Sequence, residues 1–252
     1  MTPPPAAARP LAPTPSLDKR GETIRDMFAG VAPRYDFLNH LLSGALDHLW
    51  RRAAARALGL GPGARVLDLC AGTGDQAVAV GKRGPWVAAA DFCLPMLALG
   101  RGKLRRLGRR RGAGGAAPLV TDALALPFAA ARFDGATVAF GLRNVADLDA
   151  ALRQLHAALV PGGRLAVLEF ALPEAGWVRA PYLFYFRRVL PAICRLLSPR
   201  ASAYVYLPAS VIEFPQRAGF VAAMRGAGFA DCAWRDLALG AVCLYTGRKG
   251  TA

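Results

Sequence analysis

No apolar run reaches the roughly eighteen residues that a membrane-crossing helix requires, so the sequence predicts no transmembrane span. The five cysteines (70, 93, 194, 232, 243) form no CxxC pair and are odd in number, which argues for reduced thiols in an intracellular compartment. Three histidines stand apart along the chain, none in an HExxH-like spacing, so no metal is expected. Lysine occurs only at 19, 82, 103 and 249, and the net charge of +15 therefore comes from arginine. That balance suits an anionic surface, nucleic acid or lipid head groups, and follows equally from a GC-rich coding bias that also raises Ala and Gly. The densest basic cluster, Arg101 to Arg111, has no interleaved aromatic residue and hence no stacking platform for bases; it reads as a solvated helix end.

The first fifteen residues carry proline at 3, 4, 5, 10, 13 and 15 and predict a disordered Pro/Ala-rich arm over residues 1–18. No apolar segment follows it as in a secretory signal; a transit peptide is less excluded, since the arm lacks acids until Asp18, although it is poor in Ser and Arg. No composition break inside residues 60–250 suggests a second domain, and residues 19–252 are read as one large α/β domain with a full core.

What the chain does have is centred on Val66-Leu67-Asp68-Leu69-Cys70-Ala71-Gly72-Thr73-Gly74-Asp75. An apolar run ending in an acid and a Gly-x-Gly turn is how a buried parallel strand hands over to a helix through a ligand-binding loop. Gly72 and Gly74 allow a tight turn and close approach to a nucleotide-like ligand. With Ala77 in last place the loop also satisfies G-x-G-x-x-A, so a dehydrogenase remains open at this point.

Strands are predicted at 66–68, 86–90, 118–121, 133–140 and 164–170, separated by helices over 76–82, from Leu94, and from Leu148 to Leu159; a short amphipathic helix is predicted over 21–30 and another over 215–226. Two last strands, 229–237 and 241–247, suggest an antiparallel end, giving a doubly wound, mostly parallel seven-stranded sheet. Asp91 closes the second strand about twenty residues past the glycine turn, where an acid accepts both ribose hydroxyls. Asp122-Ala123 follows the third strand as a candidate for an adenine edge. Tyr182 to Leu197 is apolar and aromatic with Arg187, Arg188 and Arg195 among it, too short to span a bilayer but suited to its interface.

DLCAGTGD, the acids at 91 and 122, and LVPGG before the fifth strand resemble a class I S-adenosylmethionine-dependent methyltransferase. YDFLNHLLSGALDHLW, FGLRNV, GGRLAVLEF and YVYLPASVIEFP further resemble the UbiE/MenG family, the C-methyltransferases of ubiquinone and menaquinone biosynthesis, over roughly residues 20 to 249. The resemblance implies S-adenosylmethionine as cofactor, with Asp68, Gly72, Thr73, Gly74, Asp91, Asp122 and Ala123 as its binding residues. It implies Arg143, Tyr35 and Asn144 as catalytic residues, and a prenylated quinol as substrate. Ala139 stands where the family often has Ser, and Asp122 where it often has Asn. A nucleic-acid partner is not expected, since no base-flipping clamp or NPPY-like motif follows the fourth strand. The expected location is cytoplasmic, peripheral to the inner face of an anionic membrane, with an organellar location left open, and other quinone-biosynthesis enzymes or a second copy are candidate partners.

Overall fold

A computed structural model of the chain describes residues 21–189 and 202–251; the predicted arm over 1–18 and residues 190–197 of the aromatic segment lie outside the described residues. Among the described residues are strands β1 (Arg65–Leu69), β2 (Trp86–Asp91), β3 (Ala116–Val120), β4 (Phe133–Ala139), β5 (Leu159–Phe170), β6 (Phe229–Leu237) and β7 (Val242–Lys249). They form one sheet in the order β3-β2-β1-β4-β5-β7-β6, with β7 antiparallel to both neighbours and every other pairing parallel.

The pleat sorts the core into two layers. Leu67 and Leu69 of β1, Ala88 and Ala90 of β2, and Leu165 and Val167 of β5 pack on one face with α5 (Leu148–Ala158) and α8 (Ala218–Gly226). Val66, Val87, Ala89, Ala166 and Leu168 pack on the other with α2 (Asp47–Leu58), α3 (Asp75–Gly81) and α4 (Leu94–Gly108). Helix α5 begins where Asp147 accepts from Ala150 N at 2.8 Å and buries Ala151, Leu152, Leu155 and Ala158 on one stripe.

Two elements differ most from the sequence reading. The helix predicted over 21–30 is α1 (Gly21–Leu42), which ends only where Gly44 and Ala45 take positive φ (57° and 62°). Strand β5 starts five residues before the predicted Arg164: its pairing with β4 passes from Phe133–Leu159 to Gly135–Arg164, so the Pro-Gly-Gly turn is absorbed as a bulge within the strand.

The chain leaves β1 outward through β2 and β3 and then crosses back to β4, so the strand order reverses at β1/β4 and a crevice opens beyond their C-terminal ends. Both strands end in a non-glycine residue in the left-handed region, Cys70 (φ 55°) and Phe140 (φ 64°), a strain of about 1–3 kcal/mol each that is characteristic of ligand sites. The two ends approach so closely that a Cβ on Gly141 would lie 2.3 Å from Cys70 Cβ. Gly141→Ala is therefore expected to destabilise by about 1–3 kcal/mol. Adding Cys70→Gly, which removes both that Cβ and the strain, should recover most of the loss in urea unfolding; an unchanged midpoint for the single variant would refute the crowding.

Candidate active site

The crevice is a cleft enclosing, with its open mouth, about 880 Å³. Its floor is the glycine turn and the ends of β1, β2 and β4, and Ile24 and Phe28 of α1 close one side. Asp91 is buried at its centre and organises it. One carboxylate oxygen accepts Gly72 N–H and the other accepts Cys93 N–H, both at 2.8 Å. Burial raises its pKa, opposed by these backbone donors. Each oxygen retains a second lone pair for a ligand hydroxyl. Asp122 is exposed at the far end, its carboxylate accepting Leu124 N–H at 2.9 Å in an Asx turn, and Ala123 lines the cleft beside it.

Asp68 is fully buried, and neither of its oxygens makes a hydrogen bond of ordinary geometry. Burial pushes its pKa up to about 8, with the positive charge of Arg51 as the main opposing influence. An acid without a donor beneath the glycine turn fits a ligand that brings an ammonium group.

Thr73 turns away from the cleft. Its hydroxyl donates to Asp36 at 2.5 Å and accepts from Lys103 Nζ at 3.0 Å, and Lys103 also binds Asp36 (2.8 Å) and Asp75 (2.6 Å). Burial raises the Asp36 carboxyl, but hydrogen bonds from Lys103 and Thr73 outweigh it and hold the pKa below the usual value. The network ties α1 and α4 to the glycine turn. Sequence reasoning placed Lys103 among solvated cations; its neighbours Arg101, Arg105, Arg106 and Arg109 to Arg111 are indeed exposed, and two acids distant in sequence, Asp36 and Asp75, draw Lys103 inward. Gly74 (φ 82°) serves the same turn by packing under Leu104.

At the end of β4 a 3-10 turn, Leu142–Asn144, presents Arg143 and Asn144. Arg143 is buried; Nη1 donates to Glu169 Oε2 at 3.0 Å and to the Phe140 carbonyl, and its backbone N–H donates to Glu169 Oε1 at 3.3 Å. The guanidinium lies 5.4 Å above the Phe170 ring. Burial raises the Glu169 pKa, opposed chiefly by the charge of Arg143. Arg143 Nε and Asn144 Oδ1 are both enclosed without a hydrogen-bond partner among the described residues, and Asn144 lines the cleft. The side chain of Tyr35 lies outside the described residues.

One grouping escaped the sequence. His40 and His48 looked separate, yet their ring centroids are 4.3 Å apart, and Asp47 receives His40 Nδ1 at 2.9 Å and Ser43 Oγ at 3.1 Å. Their ligand atoms lie within 4.8 Å of one another, close enough for a metal ion, because the turn between α1 and α2 folds residue 40 back onto 47 and 48. The neighbouring cations Arg51, Arg52 and Lys103 make the surroundings unfavourable to a dication.

The ubiE/COQ5 methyltransferase family model matches residues 16–249. This chain belongs to that family. It is 44% identical over 237 residues to the ubiquinone/menaquinone biosynthesis C-methyltransferase UbiE of Geobacter sulfurreducens, covering 93% of this chain and 91% of that one. It is 43% identical over 233 residues to a demethylmenaquinone methyltransferase of Mycolicibacterium paratuberculosis, covering 92% and 96%. Among solved structures, an S-adenosylmethionine-dependent methyltransferase from Thermotoga maritima, described as a possible histamine N-methyltransferase, aligns with TM-score 0.59 at 18% identity over 90% of this chain and 99% of that one. The [4+2]-cyclase SpnF aligns with TM-score 0.65 at 18% identity over 96% and 98%. These likenesses establish the class I methyltransferase fold.

The geometry at Asp68 has a measurable sign. A carboxyl whose folded pKa is raised makes the folded state bind more protons than the unfolded state between about pH 4 and about pH 8, so its contribution to stability falls as pH rises through that window. Asp68→Asn is expected to raise the melting temperature of the ligand-free protein by an amount that grows from pH 5 to pH 8 and then levels off. A difference that stays constant with pH would show that Asp68 is ionised throughout.

Proposed function

We propose that this methyltransferase adds a methyl group from S-adenosylmethionine to a ring carbon of a demethylated prenyl quinol, demethylmenaquinol first among the candidates. The observation that carries the reading is the juxtaposition, across the ends of β1, β2 and β4, of the buried acids Asp68 and Asp91 with the cationic turn at Arg143. When bound, S-adenosylmethionine supplies an electrophilic sulfonium methyl.

In this reading Asp91 holds the ribose hydroxyls, Asp68 the ammonium, and the Asp122-Ala123 loop the adenine edge. Asn144 and Arg143 orient the quinol. Ionising the hydroxyl beside the unsubstituted carbon pushes electron density onto that carbon; the carbon–methyl bond forms as the sulfur–methyl bond breaks, and the ring proton then leaves to water. A guanidinium stays charged at working pH, so Arg143 favours the quinolate electrostatically or orients the accepting water. The fixed encounter of the two reactants contributes up to about 7–11 kcal/mol. Tyr35 is assigned to the same pocket by the family motif.

Arg143→Lys separates chemistry from bracing. An ammonium has three donors, but they radiate from one atom at the end of the stem and none stands where Nε does, whereas the guanidinium fork serves Glu169 and the Phe140 carbonyl through Nη1 and keeps Nε for the substrate. With reduced demethylmenaquinol, kcat is expected to fall about a hundredfold or more, while S-adenosylmethionine affinity stays within about threefold. Asp91→Ala should instead weaken that affinity at least tenfold, about 1.4 kcal/mol. Near-normal turnover in the Lys variant would leave Arg143 as a brace alone, and failure of the native protein to methylate any prenyl quinol would remove the assignment.

The substrate's prenyl tail resides in a bilayer, and the described residues contain no helix long and apolar enough to cross one. We assign peripheral contact with the inner face of an anionic membrane to the segment that begins at α6 (Gly176–Phe184). This helix buries none of its residues, and Trp177 and Phe184 are 75% and 64% exposed. Co-sedimentation with anionic vesicles is expected to fall with added salt and to drop severalfold in Trp177→Ala/Phe184→Ala. Equal pelleting of the native and variant proteins would place the contact elsewhere.

A further inference from the structure

Buried polar atoms in folded proteins are nearly always paired, so those that are not call for a reason. Around α7 (Ser202–Glu213) the rule holds for most groups: Ser210 Oγ donates to the Leu207 carbonyl at 3.0 Å, and Gln216 binds both Leu172 N–H and the Val211 carbonyl at 2.8 Å. Tyr206 Oη breaks it, being enclosed without a hydrogen-bond partner among the described residues. Helix α7 packs against α1 and against the 3-10 turn of Arg143 and Asn144, where two more buried atoms, Nε and Oδ1, have no hydrogen-bond partner among the described residues.

The three orphaned groups are chemically complementary to one ligand. Arg143 Nε can only donate, Asn144 Oδ1 can only accept, and the phenolic hydroxyl of Tyr206 can do either. Burial raises the Tyr206 pKa to about 12, with the charge of Arg143 pulling it back, so the hydroxyl keeps its proton at neutral pH. A ring hydroxyl offers one proton and an oxygen with two lone pairs, which answers an acceptor and two donors. An apolar ligand would leave all three unpaired, at the full desolvation cost of each.

We infer that Tyr206 is a substrate-contacting residue whose hydroxyl donates to the quinol oxygen that becomes the quinolate, beside Arg143 and opposite Asn144. The inference rests on the quinol methyltransferase reading above. It adds an element distant in sequence, α7, to the acceptor site, and gives the oxygen two donors that strengthen as charge develops on it.

Tyr206→Phe tests this, because it deletes only the hydroxyl. An unpaired hydroxyl contributes nothing to the fold, so the melting temperature is expected to stay the same or rise, and the dissociation constant of S-adenosylmethionine to stay within about twofold. kcat/KM for reduced demethylmenaquinol is expected to fall at least tenfold, and the rise of rate with pH should move to higher pH because the quinolate has lost a donor. Normal turnover and an unshifted pH profile in Tyr206→Phe would overturn the inference. So would lost turnover accompanied by a lower melting temperature or weaker cofactor binding, since a packing residue behaves in that way. A native protein inactive on every prenyl quinol would overturn the parent reading instead, and is distinguished by being seen before any substitution is made.

Discussion

The buried pair of Arg143 and Glu169 is the constraint on which the acceptor side of the cleft depends. Neither charge reaches water to any useful extent, and removing one partner of such a pair costs about 3–5 kcal/mol because the other is left uncompensated. The pair ties the turn after β4 to the end of β5. It also places a cation over Phe170, whose ring stacks on Phe140 at 4.5 Å. Phe140 in turn meets Trp50 edge-on at 6.2 Å and Arg51 at 5.5 Å, so α2 is locked to the same point. A residue in a strained backbone conformation persists only where its surroundings over-determine it, and the ring contacts and the carbonyl bond to Arg143 supply that at Phe140.

Two acids on adjacent strands are raised by the same cause, burial, yet are fitted for different tasks. Asp91 is met by two backbone N–H groups that favour its charge and hold the glycine turn against β2, so it is a fixed acceptor. Asp68 has no donor of ordinary hydrogen-bond geometry among the described residues; the charge of Arg51 and, less, the Ala77 backbone favour its ionisation, while Asp91 and Asp75 oppose it. Its ionisation is therefore the one that a cationic ligand arriving above the turn would change most.

The sheet was legible because its strands are short apolar runs punctuated by glycine, proline and acids, and each such signal is local. Asp91 and Asp122 could be placed for the same reason: each sits at the end of a strand. Thr73 could not be oriented, since its hydroxyl is decided by Asp36 and Lys103, which approach it from α1 and α4. The His40, Asp47 and His48 grouping was hidden by a turn with two successive left-handed residues, only one of them glycine. The extent of α1 was missed because helix ends are marked weakly in a stretch of mixed aromatic and polar residues. Arg143 and Glu169 fall near the ends of neighbouring strands, so their pairing as a brace for the loop was legible in the sequence, and the pair forms.

Local and distant signals also divide the chemistry. The half of the cleft that the proposed reading gives to the cofactor is made by turns directly after β1, β2 and β3, each specified by residues within a few positions of one another, and such turns serve any acceptor. SpnF has this fold at TM-score 0.65 and is a cyclase, so the sheet and its turns do not choose the reaction. The choice falls to what covers them. Here that cover includes α1, which packs on α4, and α7, which packs on α1 and on the turn of Arg143, itself held by a strand other than its own. An acceptor site assembled from parts distant in sequence can change its occupant through a few contacts while the cofactor turns remain as they are. Acceptor selectivity therefore belongs to the cover, and it is there that a naphthoquinol and a benzoquinol, alike at the reacting carbon and its hydroxyl, present different outlines to the protein.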